Sequence, residues 1–487
     1  MQNKSNVYFA FFLSIAFLLL SLFFVSYHEL WLDESYHYLL ARDSKSFTDL
    51  IHNGTPTGHP ILWNLVLFYY KIILPGVFAM QFLHCFIASV CVFTIACFSP
   101  FSRIQKFLIA FGYFFLYEYN IIAKNYILGF TLVFIVLALS DRKKPLWLIA
   151  VLLALASNMH LFTLFISLFL FSYLFFYHYK SQTKTIIFLS VGILLLGLVI
   201  AFMQIIPPLS VIKEYKSYDS PSFFSMDRLG RSLSAINRGL VNIPDFRLHS
   251  YWNSNLIYNT SHYLAYFISF VFIFLIFFVY KNNKPVLLLF FCPALCILFF
   301  VYLAPLATGV RYWGYFYVLF IICNWLYKNK YTESYFTKYV FLFVLSLQFI
   351  ISIPALIVEY KFPFSNGKNA AESLKQTQNI KHPLFLQILA IGPSLSAYSD
   401  KKIYYPASKS FESYSYNIPS KNYAPIAFVE TSINDLISMK GDTCILVLNE
   451  SISDSICHNY HLKKISSHLN AISSSENYYL YLLSIKK

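Results

Sequence analysis

Asp33 and Glu34 stand side by side in "WLDESYHYLL", directly after an apolar run long enough to cross a bilayer. Other polar residues of catalytic type fall in short gaps between later apolar runs. His59 lies in "GTPTGHP"; Glu118, Lys124, Asn125 and Tyr126 lie in "YEYNIIAKNY". Asn158 and His160 lie in "SNMH", and Arg311 in "LATGVRYWGY". A carboxylate can take the proton from an attacking hydroxyl. Arg and Lys can neutralise the charge that grows on a leaving phosphate. Two adjacent acids, Asp33 and Glu34, could also hold a hard divalent ion such as Mg2+ or Mn2+. The sequence has no GxxxxGK[ST], and no GxGxxG after a strand, so a lipid phosphate is favoured over a nucleotide as the donor.

Each residue also has a bland reading. His59 could form a turn before Pro60, and Lys124 could snorkel to headgroups. His160 and Asn158 could bond between helices, and Arg311 could anchor a lipid phosphate. Asp33 and Glu34 are harder to read as a solvated pair, because Trp31, Leu32, Tyr36 and Tyr38 surround them. Ionisable residues gathered at span ends are functional candidates by default.

The elements that must position these residues are membrane helices. The 487-residue chain is 58% hydrophobic and 20% aromatic with only 12% charged residues, and its mean hydropathy is +0.57. A soluble chain of this size needs far more charge on its surface. Candidate spans are 7–26, 77–98, 104–119, 123–140, 145–158, 160–178, 185–206, 262–280, 285–304, 309–327 and 337–358. The first has a longer apolar core than a signal peptide and no small-residue cleavage pattern, so it is expected to remain as a helix. The net charge of +15 follows from basic gaps between spans rather than from nucleic-acid binding.

Those basic gaps set the sides. They hold Arg103 and Lys106; Arg142, Lys143 and Lys144; Lys180 and Lys184; Lys281 and Lys284; and Lys328, Lys330 and Lys338. If 59–76 does not cross, all five share the cytoplasmic side with Lys4. The segment 59–76 is therefore expected to be an interfacial helix with Asn64 and Lys71 facing water. About eleven spans, a cytoplasmic N-terminus and an extracytoplasmic C-terminus follow. The first outer loop is 27–76, and 207–261 is a large outer loop carrying Lys213, Lys216, Arg228, Arg231, Arg238 and Arg247 among four acids, Glu214, Asp219, Asp227 and Asp245.

After a membrane domain at 1–359, the region 360–487 turns polar and reads as a small extracytoplasmic α/β domain. Its expected strands are "LFLQILAI", "KIYYPA", "APIAFVE", "TCILVLNE" and "YYLYLLSI". Of the eight cysteines only Cys444 and Cys457 lie there, and they could pair if brought close enough.

In this order, "WLDESYHYLL", "GHPILWNLVLFYY", "YEYNIIAKNYILG" and "TGVRYWGYFYVLF" resemble the bacterial C-superfamily (GT-C) glycosyltransferases, enzymes similar to protein O-mannosyltransferases and the lipid A aminoarabinose transferase. The likeness covers nearly all of the membrane part, and "PFSNGKNAAESL" resembles the entry to the C-terminal domain of such enzymes. The resemblance implies inverting transfer of a sugar from a polyprenyl-phosphate donor to a lipid, glycan or protein acceptor, at the outer face of the bacterial inner membrane. It implies Asp33 as general base, with Glu34 orienting the acceptor or binding a metal ion. His59 matches the family's His-Pro motif. His59, Lys124, Tyr126, His160 and Arg311 would bind the donor phosphate or the substrate. Lys124 stands where many relatives have Arg, and Ile61 where many have a second Pro; Lys meets a phosphate as a point charge without the bidentate fork. The competing readings are an O-antigen ligase or polysaccharide polymerase centred on 207–261, and a lipid-linked-sugar flippase or transporter.

Overall fold

Among the described residues, seven apolar runs become helices long and apolar enough to cross a membrane. The computed structural model describes residues 4–55, 58–142, 144–206, 225–303, 309–414 and 423–485. Lys143 and the loop charges Lys213, Glu214, Lys216 and Asp219 lie outside them. The chain runs through α1 (Lys4–Val25), α2 (Leu32–Asp43), α3 (Phe47–Gly54), α4 (Leu62–Ile73), α5 (Val77–Phe98) and α6 (Arg103–Ala110). A π-helix (Phe114–Ile121) follows, then α7 (Tyr126–Ser140), α8 (Leu146–Ser157), α9 (Leu161–His178) and α10 (Lys184–Ile205). Short helices α11 (Met226–Leu233), α12 (Ala235–Leu240) and α13 (Leu256–Thr260) precede α14 (His262–Tyr280), α15 (Lys284–Leu303), α16 (Val310–Lys328) and α17 (Tyr335–Lys361). The seven long apolar helices are α1, α5, α9, α10, α14, α15 and α17.

Each expected span is helical along most of its length, but 104–119 is broken into α6 and the π-helix. The π-turn packs against Gly314 of α16, where a Cβ would collide with the Tyr119 hydroxyl and the Phe114 ring. Ser102, Thr183, Ser261 and Ser334 each accept a backbone N–H at the start of the next helix, so the gaps supply their own caps.

The basic gaps meet at one end of the bundle. Arg103 donates to Ser5 at 2.6 Å, Lys328 to Gln105 at 2.9 Å, and Asn329 to Asp141 at 2.7 Å. The acid-bearing segment follows α1 at the opposite end. Helix α4 has 12 residues, about 18 Å of rise, against a hydrocarbon core of about 30 Å. It belongs with α7 and α8 to the shorter apolar helices. Its polar residues do not face water as expected. Asn64 is buried and bonded to His37 Nδ1 at 2.7 Å. Lys71 Nζ donates to the carbonyls of Ala41, Arg42 and Ser44, at 2.5, 3.1 and 2.8 Å. Those are the orphan acceptors at the C-terminus of α2, so a cation there satisfies both charge and hydrogen bonding.

The described part of the large loop is also not a solvated loop. Helix α12 is buried: Asn237 N donates to Ser269 Oγ at 3.0 Å, and Gln348 Nε2 to the Leu240 carbonyl at 3.2 Å. Ser234, Ala235 and Gly239 are small enough for this close approach, as in helix packing within membranes.

The C-terminal part is a six-stranded sheet in the order β3-β2-β1-β4-β6-β5, made of β1 (Leu384–Leu386), β2 (Ile403–Tyr405), β3 (Ser410–Glu412), β4 (Thr443–Leu448), β5 (Leu462–His468) and β6 (Tyr478–Ser484). Strand β1 runs parallel to β2 and β4, and the other pairings are antiparallel. Helices α18 (Gly367–Gln376), α19 (Gly392–Ser399), α20 (Pro425–Ser438) and α21 (Asp454–Asn459) complete it. "APIAFVE", expected as a strand, instead starts α20. Pro425 suits the first helical turn, and Phe428, Val429, Ser432 and Leu436 bury one helical face. Cys444 is a buried thiol on β4 and Cys457 a free thiol on α21, so the two do not pair.

Candidate active site

Helix α2 carries Asp33 near its start, held in part by its own Glu34, whose Oε2 accepts from Trp31 N at 3.2 Å. Adjacent residues on a helix point about 100° apart, and here that separates the two acids. Asp33 Oδ2 accepts from Lys124 Nζ at 2.5 Å and from Arg311 Nη2 at 3.1 Å. Its side chain keeps 21% of its surface exposed. Burial alone would raise the Asp33 pKa, but Lys124 and Arg311 outweigh it and hold the group well below the usual carboxylate range.

Glu34 turns the other way and is fully buried. It accepts from His28 Nε2 at 2.9 Å and from the Ala123 amide. His28 Nδ1 in turn meets Glu359 Oε1, at 2.7 Å, at the end of α17. Burial pushes the His28 pKa down, yet Glu34 and Glu359 together raise it to about 10, so the bridge holds an imidazolium between two carboxylates.

The expected metal role of Asp33 and Glu34 can be tested on these donor sets. Both Glu34 oxygens are occupied by N–H donors, and Asp33 is neutralised by two cations. The pair therefore does not present a common face to a divalent ion.

The turn carrying Lys124 is fixed from two sides. Ala123 N is held by Glu34, and His84, fully buried on α5, donates from Nδ1 to the Asn120 carbonyl at 2.9 Å. Lys124 Nζ then lies over the rings of Trp31 and Tyr126, at 5.3 and 5.7 Å. Arg311 starts α16, and its Cζ lies 5.0 Å from the Trp31 ring, 5.7 Å from Trp252 and 5.2 Å from Tyr312. Its main chain is tied down by Tyr119, whose hydroxyl donates to the Arg311 carbonyl at 2.6 Å. Arg311 Nε and Nη1 are buried and have no partner among the described residues. A fork with idle donors beside an ammonium has the chemistry to receive an anion.

His59 and His160 complete the cluster, with ring centroids 5.9 Å apart and nearly parallel planes. His160 caps α9, accepting from Phe162 N at Nδ1 (3.2 Å), which leaves Nε2 to carry the proton of the neutral ring. Tyr126, Tyr312 and Tyr315 surround it at 5.0, 5.7 and 5.4 Å. Burial and Lys124 lower the His59 pKa to about 4, so this imidazole is neutral near pH 7. A cavity of about 510 Å3 runs from His59 along Ile61, Leu62 and Leu65 to Leu155 of α8 and Ile200 and Met203 of α10.

Asp33, His59, Lys124, Tyr126, His160 and Arg311 are thus brought together, whereas Glu34 is set apart. Asn125 and Asn158 tie loops instead: Asn125 donates to the Met159 carbonyl at 2.5 Å, and Asn158 to the Gly197 carbonyl at 2.9 Å. Glu118 sits behind Arg311, accepting from Trp252 Nε1 at 3.1 Å. Two residues were missed in the sequence. Trp252 comes from the large loop and carries no local signal. His37 lies one turn after Asp33 on α2, and burial with Lys124 lowers its pKa to about 3; the i, i+4 spacing was its signal. No protein-family model matches the chain, and none of the curated proteins matches it.

Proposed function

We propose that this chain transfers a sugar from a polyprenyl-phosphate donor to a hydroxyl of a lipid, glycan or protein acceptor, at the outer face of a bacterial inner membrane. The observation that carries the reading is the site's double polarity. An apolar cavity bordered by α10 reaches His59, and beyond it Lys124 and Arg311 converge with unused guanidinium donors on a partly exposed carboxylate. An amphiphile with an anionic head and a long apolar tail fits that order of surfaces, and the sequence resemblance to C-superfamily glycosyltransferases points the same way.

In this reading the acceptor oxygen attacks the anomeric carbon of the donor, and Asp33 takes the hydroxyl proton. The bond between the anomeric carbon and the phosphate oxygen breaks, and polyprenyl phosphate leaves with the electron pair. Lys124 and Arg311 hold the charge that develops on it. Attack opposite the leaving group inverts the anomeric centre. A carboxylate paired to two cations is a weak base, so the donor phosphate has a second role. By drawing Lys124 and Arg311 to itself, it leaves Asp33 less neutralised and more basic when the acceptor arrives.

The deciding experiment supplies purified protein with radiolabelled polyprenyl-phosphate sugars and follows label reaching an envelope extract. Transfer by the wild type and its loss in Asp33→Asn, at equal membrane levels, is expected. Undiminished transfer by Asp33→Asn would remove Asp33 as the base, and flux of the donor across vesicles without transfer would favour a transporter.

A further inference from the structure

The segment carrying Asp33 is gripped from outside the membrane helices. Lys368 N, at the start of α18, donates to Glu29 Oε2 at 3.1 Å. Leu30 N donates to the Tyr398 hydroxyl of α19 at 2.8 Å. Leu32 N, the first amide of α2, donates to Glu476 Oε1 at 2.7 Å. The Ser35 and Ser394 hydroxyls lie 3.4 Å apart. Four C-terminal residues therefore bracket Asp33 on both sides in sequence.

Glu476 is the most committed of them. It is fully buried, its Oε2 accepts from Ser394 Oγ at 2.8 Å, and its own carbonyl accepts from Asn366 N at 3.3 Å. A helix start leaves backbone N–H groups without partners, and α2 satisfies only part of this deficit with its own Glu34. The remaining donor next to Asp33 is met from a different region of the chain, about 440 residues away in sequence. Burying a carboxylate is costly unless its hydrogen bonds are made, and here one is made to Ser394 and the other to the residue preceding Asp33.

We propose that Glu476 is a positioning residue for Asp33, and that the C-terminal sheet domain completes the active site by fixing the start of α2. The domain then acts on the proton-accepting step, whatever part it also has in acceptor choice. The kinetic arm of the test rests on the transferase reading; the exchange arm does not.

Full-length protein in lipid nanodiscs is compared as wild type, Glu476→Ala and Glu476→Gln by amide hydrogen exchange over residues 29–36 and by transfer kinetics. In Glu476→Ala, exchange in this segment is expected to rise at least about tenfold. The value of kcat should fall about 100-fold, the scale of an ångström-level misplacement, with donor KM within about threefold because Lys124 and Arg311 belong to other elements. Glu476→Gln keeps an oxygen for Leu32 N and should restore both. Faster exchange with wild-type kcat, or unchanged exchange in a folded Glu476→Ala, overturns the proposal. If Glu476→Ala does not fold, Ser394→Ala and Tyr398→Phe should move exchange and kcat in the same direction by smaller factors, and no movement in either overturns it. Exchange that responds as expected in a protein with no transferase activity would support the clamp and overturn the transferase reading.

Discussion

Asp33 and Lys124 form an ion pair at 2.5 Å although 91 residues separate them, and Arg311 meets the same Asp33 oxygen at 3.1 Å. A single carboxylate oxygen is thus the counter-ion for two cations. An anion that draws Lys124 Nζ or Arg311 Nη2 to itself competes with Asp33 for that donor.

This competition gives a prediction opposite to that for an ordinary binding residue. Asp33→Asn should abolish transfer by roughly 100- to 10,000-fold and yet bind polyprenyl phosphate, without its sugar, about tenfold more tightly. Titration of purified protein with fluorescent polyprenyl phosphate measures it. Weaker binding by Asp33→Asn would show that the carboxylate supports the phosphate rather than opposing it.

Lys124 and Arg311 should separate in kind. Arg311→Lys removes the two idle donors while keeping the charge, and should lower transfer by about 100-fold, the scale of a lost donor to a developing charge. Lys124→Arg keeps a cation over Trp31 and Tyr126 and should retain most activity. Equal losses in the two variants would mean that the fork geometry is unimportant.

The His28 bridge sets a pH dependence of stability. Its folded pKa, about 10, lies above its ordinary value of 6.5, so its contribution is full below about pH 6.5 and fades as pH rises toward 10. His28→Leu leaves Glu34 and Glu359 buried without a counter-charge and should destabilise by about 3–5 kcal/mol. The gap in melting temperature between the wild type and this variant should be widest near pH 6 and narrow by pH 10. A gap that widens with pH would contradict a protonated His28.

Gly314 is a steric prediction. A methyl there meets Tyr119 and Phe114, and Tyr119 in turn holds the Arg311 carbonyl. Gly314→Ala should therefore disturb the start of α16 and reduce transfer, whereas Gly192→Ala, which meets nothing within 4 Å, should not. Comparing the two for transfer and thermal stability checks the π-helix contact directly.

How much was legible in the sequence varies with the range of the interaction. Apolar length fixes where helices form, because backbone groups in lipid must be satisfied within the segment. Charge between the runs groups Arg103, Lys328 and their neighbours at one end, leaving Asp33, His59, Lys124, His160 and Arg311 to share the other. Those features are local or additive along the chain. The choice between Asp33 and Glu34 is neither. Both are acids at the start of one amphipathic helix, and only the packing of α2 against the Lys124 turn, α16 and His28 turns one to the cations and buries the other. Asn64 and Lys71 look like water-facing residues of an interfacial helix, yet α4 turns them inward onto α2. Trp252 and Glu476 reach the site from residues remote in sequence, and their roles depend on contacts made only when the chain has folded. The sequence by itself determined which end of the bundle holds reactive groups; the tertiary structure decided which carboxylate meets the cations and what holds it there.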